Sequence, residues 1–356
     1  MTKRVCVIPG DDASPEAVLP ALAVVKGLEL DIDWLVLPAG EDGQVMHGDN
    51  WAQVCREAID SCDTTWFGSA SGKTPAIAYL RWGKGTYANI RPVKYMPGAR
   101  SPLANPEGID FVIVRENMED MYSGVEGDLE ALQPLGLVNR QTKVPIPDSG
   151  GKFAVKIITE ANTRRIVEYG CQLALERKAE GHPGRLTVSS KYNVLPGTDG
   201  YFRALAQEVA SSHPELEYEN FIADDFARRI VADPHRLDVV VLPNLYGDIF
   251  SDEASALVGG LGVAPSGCYG DDFAYFESVH GSAPDIAGQH VINPTATMLS
   301  AAMMLRYSLA RPAEADRIEA AVRKVLKDGL RTADIYTEGC RKVGTREMGD
   351  AVVAAL

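Results

Sequence analysis

Short runs of β-branched and aliphatic residues alternate along this chain with stretches of helical periodicity, and that alternation restricts it to few architectures. Residues 4–10, Arg-Val-Cys-Val-Ile-Pro-Gly, read as a short buried strand ending in a turn. Ser14-Pro15-Glu16 then reads as an N-cap with proline at the first helical position, and apolar Val18, Leu19, Leu22 and Val25 continue a helix. Residues 28–37 read as a second strand, 51–59 as a helix and 64–68 as a third strand. Further strands are expected at 87–93, 111–117, 186–190 and 237–242, with helices at 160–177 and 199–211. The last hundred or so residues read as mainly helical, with Asn293 capping a helix whose second residue is Pro294. The pattern predicts an α/β fold on a largely parallel sheet. Residues 124–151, rich in Gly, Pro and Asp, suggest instead a hairpin-like excursion able to reach a partner.

At 356 residues and 46% hydrophobic, the chain can bury a sizeable core and is expected to form two lobes. No apolar run approaches the length of about 18 residues that a membrane span needs, and Met1-Thr2-Lys3-Arg4 leads straight into a strand pattern, so the cytoplasm is the expected location. The six cysteines are scattered, without a Cys-x-x-Cys pair or zinc-type spacing, and read as reduced thiols. A net charge of -14 argues against nucleic acid and anionic membrane as partners. One window breaks that acidity. From Lys73 to Arg100 there are Lys73, Arg81, Lys84, Arg91, Lys94 and Arg100 and no acid, which reads either as a basic surface loop or as a local site for carboxylate or phosphate.

After the 237–242 strand comes Asn244-Leu245-Tyr246-Gly247-Asp248-Ile249-Phe250-Ser251-Asp252. If a helix starts beyond Gly247, Asp248 and Asp252 fall four apart on one face. So placed, they either favour a helix N-terminus or chelate one hard cation through oxygen. Residues 280–288, His-Gly-Ser-Ala-Pro-Asp-Ile-Ala-Gly, form a loop that is either a connection or a close-approach surface for a ligand. There is no Gly-x-Gly-x-x-Gly fingerprint and no Walker A motif.

Several of these segments together resemble one family. Gly10-Asp11 with Pro15-Glu16, residues 87–93, residues 114–124 (Val-Arg-Glu-Asn-Met-Glu-Asp-Met-Tyr-Ser-Gly), residues 244–255 and the 280–288 loop are similar to the β-decarboxylating dehydrogenases. That family includes isocitrate, homoisocitrate, 3-isopropylmalate and D-malate/tartrate dehydrogenases. The resemblance implies an isopropylmalate dehydrogenase-like α/β fold: two lobes on a mixed sheet flanked by helices, without a Rossmann fingerprint. The expected lobes are residues 1–100 plus 258–356, binding the cofactor, and 101–257, carrying the metal site, the catalytic residues and the dimerisation excursion. It also implies metal-dependent oxidative decarboxylation of a 2-hydroxy-3-carboxy acid. By the resemblance, Arg81, Arg91 and Arg115 hold substrate carboxylates, and Asp248 and Asp252, with Asp224 from a neighbouring subunit, bind Mg²⁺ or Mn²⁺. Lys191, also from the neighbour, and Tyr122 are the catalytic pair of an obligate homodimer. The cofactor is expected along His280, Gly281, Ser282, Ala283, Pro284, Asp285, Ile286 and Asn293. Asp285 and Ile286 stand where NADP-dependent members tend to carry Lys and Tyr, and a carboxylate there would repel a 2′-phosphate, so NAD is expected.

Two departures bear on substrate and cofactor. The family's usual Gly-Asp-Gly-Ile-Gly-Pro-Glu start is Gly10-Asp11-Asp12-Ala13-Ser14-Pro15-Glu16 here, lacking two glycines, so the backbone near the cofactor is expected to differ. Before Arg81, where the substrate's third substituent is read, isocitrate enzymes have Ser and Asn while this chain has Pro75 and Ile77. Isopropylmalate enzymes have Glu and Leu at comparable sites, which Thr74 and Ile77 match in part. Polar Lys73 and Thr74, the 92–102 segment and Glu119-Asp120 point toward an isocitrate-like triacid or an acidic analogue such as a phosphonate, with 3-isopropylmalate or D-malate/tartrate as the alternatives. A non-catalytic regulatory subunit and a small-acid binding protein are competing readings of another class, opposed by the competent residues at every position named.

Overall fold

The computed structural model describes residues 2–147 and 150–356. In chain order its elements are β1 (Lys3–Ile8), α1 (Ser14–Lys26), β2 (Ile32–Val36), α2 (Gly40–His47), α3 (Trp51–Asp60), β3 (Thr64–Phe67), β4 (Ala88–Lys94) and β5 (Asp110–Glu116). There follow β6 (Glu126–Asp128), β7 (Lys152–Ala154), α4 (Glu160–Ala179), β8 (Arg185–Ser190), α5 (Asp199–Ser211), β9 (Glu217–Ile222), α6 (Ala223–Ala232) and β10 (Val239–Leu242). The remainder comprises α7 (Asn244–Leu257), β11 (Pro265–Tyr269), β12 (Ala274–Ser278), α8 (Thr295–Tyr307), α9 (Pro312–Lys327) and α10 (Thr345–Ala355).

Ten strands form one sheet in the order β2-β1-β3-β12-β11-β4-β5-β10-β8-β9. Both ends are parallel, as the strand–helix alternation requires, but the centre is not. β12, β11, β4 and β5 pair antiparallel in sequence, giving the mixed sheet. The hairpin β11–β12 lies in the stretch that reads as helical, because Pro265 and Gly267 depress the strand signal. β9, also unforeseen, is an edge strand with the polar sequence Glu-Tyr-Glu-Asn-Phe-Ile, the usual defence of an open edge. The 124–151 excursion carries β6, which pairs antiparallel with β7 just beyond it in a separate two-stranded sheet.

Both faces of the sheet are buried, which explains the continuous apolar strands. On one face Val5, Val7, Ile90, Val112, Val114, Val188 and Val241 pack against α1, α4, α5, α8, α9 and α10. The other face carries two separate clusters. At one end Cys6, Ile8, Phe67 and Tyr275 meet Trp51, Cys55 and Ile59 of α3; at the other Phe111, Ile113, Val240 and Leu242 meet Phe226 of α6 and Phe250 and Ala254 of α7. Each fully buried side chain of this size contributes about 1.5–3 kcal/mol. In the gap between the two clusters the inward positions are Asn89, Arg91, Arg115 and Glu277 rather than aliphatics. The functional site occupies that gap.

Two cap assignments are refined. Ser14 is not the N-cap of α1, which has no side-chain cap; its hydroxyl donates to Pro9 O (2.9 Å) and accepts from Ser69 N (2.8 Å), pinning the end of β1 to the turn after β3. Asn293 is not the N-cap of α8 either: the helix begins at Thr295 with Pro294 at the cap position, and from one residue earlier Asn293 Oδ1 accepts from Thr295 N at 3.0 Å.

Candidate active site

Helix α7 begins at Asn244, four residues earlier than a start beyond Gly247. The reason lies in Asn244 itself, whose Oδ1 accepts from Arg115 Nε (2.9 Å) and whose Nδ2 donates to Glu119 O (3.1 Å). Leu245 N, an open donor of the first turn, is taken by Asp120 Oδ2 at 3.0 Å. Asp248 and Asp252 therefore lie in the second and third turns, one turn apart on one face. They are not first-turn acids, so the helix dipole does not account for them.

β4 and β5 aim the arginines. Asn89 stands opposite Arg115 in the antiparallel register, which puts Arg91 diagonally next to Arg115 on the same face. Arg91 Nη1 donates to Ser251 Oγ (2.6 Å) and Asp248 Oδ1 (3.3 Å), and lies 3.7 Å from Asp252 Oδ1. Arg115 pairs with Asp248 through Nη1. Arg81 comes from a π-helical turn, Tyr79–Gly83, an irregularity common at functional sites. Among the described residues its Nε and the Nη2 of Arg115 are buried without a hydrogen-bond partner, two strong donors open to a ligand. Tyr122, on a 3-10 turn at Met121–Ser123, donates to Asp248 Oδ2. Arg81, Arg91, Arg115, Tyr122 and Asp248, but not Asp252, line one cavity of about 200 Å³, with Phe67, Ser69, Ala70, Ile77, Glu277 and His280.

Protonation follows from the neighbours. Burial works to raise the Asp248 carboxyl, but Arg115 and Arg91 outweigh it and hold it below the ordinary carboxylate range. Asp252 goes the other way: burial raises it and Arg91 only partly compensates. Burial, then the bond to Asp248, raises the Tyr122 phenol, so it keeps its proton at neutral pH. Burial pushes the Arg115 guanidinium down to about 10, with Arg91 adding to the effect, which leaves it charged. Glu277 is raised by burial against the pull of Arg81 and Arg91. Glu277 does not stand out in the sequence, because it lies in the β11–β12 hairpin; Asp120 is read there with Glu119 only as a pointer to substrate type, and its bond to Leu245 N comes from the fold.

The other expected site residues fall in three places. Ile77 lines the cavity, but Lys73 and Thr74 do not. Thr74 is buried with its hydroxyl on Asp11 Oδ1 (2.5 Å), while Lys73 Nζ pairs with Glu41 (2.6 Å) and Asp12 (3.2 Å), so both are engaged by acids of this chain rather than turned to the cavity. Lys191 and Asp224 pair with each other away from the cavity, with partly exposed side chains. Gly281, Ser282, Ala283, Pro284, Asp285 and Ile286 form the loop beyond His280, anchored where Ala13 N donates to Ser282 O (3.0 Å) and Glu16 accepts from Gly288 N (2.5 Å) and His290 N (2.6 Å). Asn293, by contrast, is buried with its amide on Asp334 and the start of α8, so its side chain is committed to structure rather than to a ligand.

The donor set suits a hard divalent cation as half a site. Asp248 and Asp252 supply carboxylate oxygen from one helix face, while no group of three His, Cys, Asp or Glu gathers among the described residues. The unpartnered guanidinium donors suit a small anion beside it.

A family model for isocitrate/isopropylmalate dehydrogenase matches residues 4–352. The chain belongs to the isocitrate/isopropylmalate dehydrogenase family. It is 40% identical to the 3-isopropylmalate/3-methylmalate dehydrogenase of Methanocaldococcus jannaschii over 93% of both chains. It is also 40% identical to the isocitrate/homoisocitrate dehydrogenase of Thermus thermophilus, over 100% of this chain and 99% of the other. Among solved structures, isocitrate dehydrogenase from Methylococcus capsulatus superposes with a TM-score of 0.83 at 30% identity, covering 99% of both chains. As a member of this dehydrogenase family, the protein is an NAD-dependent oxidative decarboxylating enzyme that uses Mg²⁺ or Mn²⁺ and acts on a small hydroxy acid. Among the described residues no helix is long and apolar enough to cross a membrane.

Proposed function

We propose that this dehydrogenase oxidises and decarboxylates a 2-hydroxy-3-carboxy acid whose third substituent is compact and uncharged, in the manner of 3-isopropylmalate or 3-methylmalate. The observation that carries this reading is the cavity wall beside Arg81, where Ile77, Phe67 and Ala70 stand while Lys73 and Thr74 are turned to Asp12, Glu41 and Asp11. An apolar substituent gains burial there, whereas a further carboxylate would lose its water without a free cation to meet it. The triacid expected from sequence, isocitrate-like or a phosphonate, becomes the second reading. What favours it is the exposure of the Lys73–Glu41 pair, since a surface ion pair is readily exchanged for a ligand.

In either case Arg81, Arg91 and Arg115 bind the two carboxylates of the malate core, using the open donors on Arg81 and Arg115. Asp248 and Asp252, together with Asp224 from a second copy of the chain, would hold the metal. Mg²⁺ or Mn²⁺ there would supply Lewis-acid chemistry, and NAD would supply the hydride acceptor. Lys191, from the second copy, takes the hydroxyl proton, and Tyr122 returns a proton to the carbon that loses CO₂. Lys191 and Asp224 are partly exposed and outside the cavity of their own subunit, which supports a homodimer with shared sites. Residues 1–100 with 258–356 form the cofactor lobe and 101–257 the other, and the enzyme works in the cytoplasm. The 280–288 loop would hold NAD, with the Asp285 carboxylate available to accept from hydroxyls of its adenosine ribose.

The test is NADH formation with Mn²⁺ across 3-isopropylmalate, 3-methylmalate, D-malate, isocitrate and a phosphonate analogue. Highest kcat/KM for an alkyl-substituted malate supports the first reading. Highest kcat/KM for isocitrate or the phosphonate, lost selectively in Lys73→Ala, establishes the second.

A further inference from the structure

The segment in which this chain departs from the family's glycine-rich start does more than tolerate the change. Asp12 sits at φ 54°, in the left-handed region that glycine adopts freely and aspartate less readily. Its carboxylate is shared between two loops. Oδ2 accepts from Ser282 Oγ at 2.7 Å, in the 280–288 loop, and Oδ1 takes Lys73 Nζ at 3.2 Å, in the loop after β3. The hydrogen bond from the Ser282 hydroxyl is the main cause holding the Asp12 carboxyl below its usual range. The flanking residues strengthen both attachments: Ala13 N donates to Ser282 O (3.0 Å), while Asp11 Oδ2 accepts from Ser71 N (2.7 Å) and Lys73 N (2.9 Å). Ser69 Oγ closes the circuit by donating to His280 O at 2.6 Å. Ser69, Ala70 and His280 all line the substrate cavity.

We propose that Asp12 is a positioning residue that locks the 280–288 cofactor loop to the 69–74 substrate loop, so that a nicotinamide dinucleotide ordering one loop also orders the other. The proposal rests on the reading of 280–288 as the cofactor loop. Through Asp12 a single carboxylate sets the register between the hydride acceptor's loop and the wall that reads the substrate. A glycine there keeps the backbone turn and loses the tie. An asparagine keeps a carbonyl oxygen for Ser282 but gives up the charge that draws Lys73.

The experiment compares wild-type enzyme, Asp12→Gly and Asp12→Asn by NADH fluorescence titration, amide hydrogen exchange with and without NADH, and steady-state kinetics. The expected result is that NADH protects both 280–288 and 71–74 in the wild type. In Asp12→Gly protection persists at 280–288 but is lost at 71–74, NADH binds several-fold more weakly, and KM for NAD rises by a larger factor than kcat falls. Asp12→Asn recovers most of the NADH affinity without the 71–74 protection, and it carries the test alone if Asp12→Gly does not fold. If NADH protects 280–288 but 71–74 is indifferent to NADH or to both substitutions, the positioning role is overturned and the cofactor reading stands. If NADH leaves 280–288 unprotected in the wild type, the cofactor reading falls and the proposal with it.

Discussion

Gly247 backs directly onto Arg115: a β-carbon at 247 would stand 2.6 Å from Arg115 Cγ and 2.7 Å from its Cβ. The glycine lies inside α7, and its missing side chain lets the helix approach β5 closely enough for Arg115 to reach Asp248 and Asn244. Gly247→Ala therefore displaces the arginine. The expected cost is about 1–3 kcal/mol of stability from overpacking and a rise in KM for the hydroxy acid on the order of tenfold or more. Denaturant melts and steady-state kinetics check both, and an unchanged KM would show that Arg115 does not touch substrate.

Much of this site was legible from spacing. Asp248 and Asp252 do share a helix face, and the acid-free window does deliver Arg81 and Arg91 to one cavity. Legibility stopped where contacts are non-local. Gly247 reads as the end of a loop because helix-start rules see only neighbours, whereas Asn244 and Asp120 set the start of α7 through Arg115, Glu119 and Leu245. The antiparallel centre of the sheet was hidden for a similar reason: β11 carries Pro265 and Gly267, and its strand character comes from pairing with β4 and β12. Lys73 and Thr74 looked free for substrate because their partners Asp11, Asp12 and Glu41 are distant in sequence.

The proposed sharing of each site between two copies makes a prediction about mixtures. Lys191→Met and Asp252→Asn should each be nearly inactive as pure proteins, since each removes a group from both sites of the dimer. Co-refolded together, the two form hybrids with one intact site, and activity should rise well above either parent. Activity of the mixture equal to the average of its parents would argue for sites built within one chain.

Glu116 gives a pH signature. Burial raises its carboxyl from 4.5 to about 7, although the N–H groups of Glu119 and Met118 pull it back, and Glu119 and Asp120 add to the rise. Between those values the folded protein keeps a proton that the unfolded chain has lost. Stability from this group is then fully present below the unfolded value and falls as pH rises through the folded one, by up to about 1.4 kcal/mol per pH unit. Glu116→Gln lacks that loss. Measured by urea melts, its stability relative to the wild type should climb from about pH 4.5 to 7 and then level. A constant difference across the range would place the Glu116 carboxyl at its ordinary value.

Asp285 should set the coenzyme. Its carboxylate repels a 2′-phosphate, and Asp285→Lys reverses that charge, so the ratio of kcat/KM for NAD to that for NADP should drop by about tenfold or more. An unchanged ratio would move the adenosine ribose away from this residue.

The central claim is that the arginine and aspartate cluster couples oxidation to loss of CO₂. Its most direct test is to measure NADH and released CO₂ together during turnover of the best substrate, with Mn²⁺ and with the metal removed by chelation. The account predicts equal molar yields of the two products with metal and neither without it. NADH formed without CO₂, or equal yields of both after the metal is removed, would contradict it.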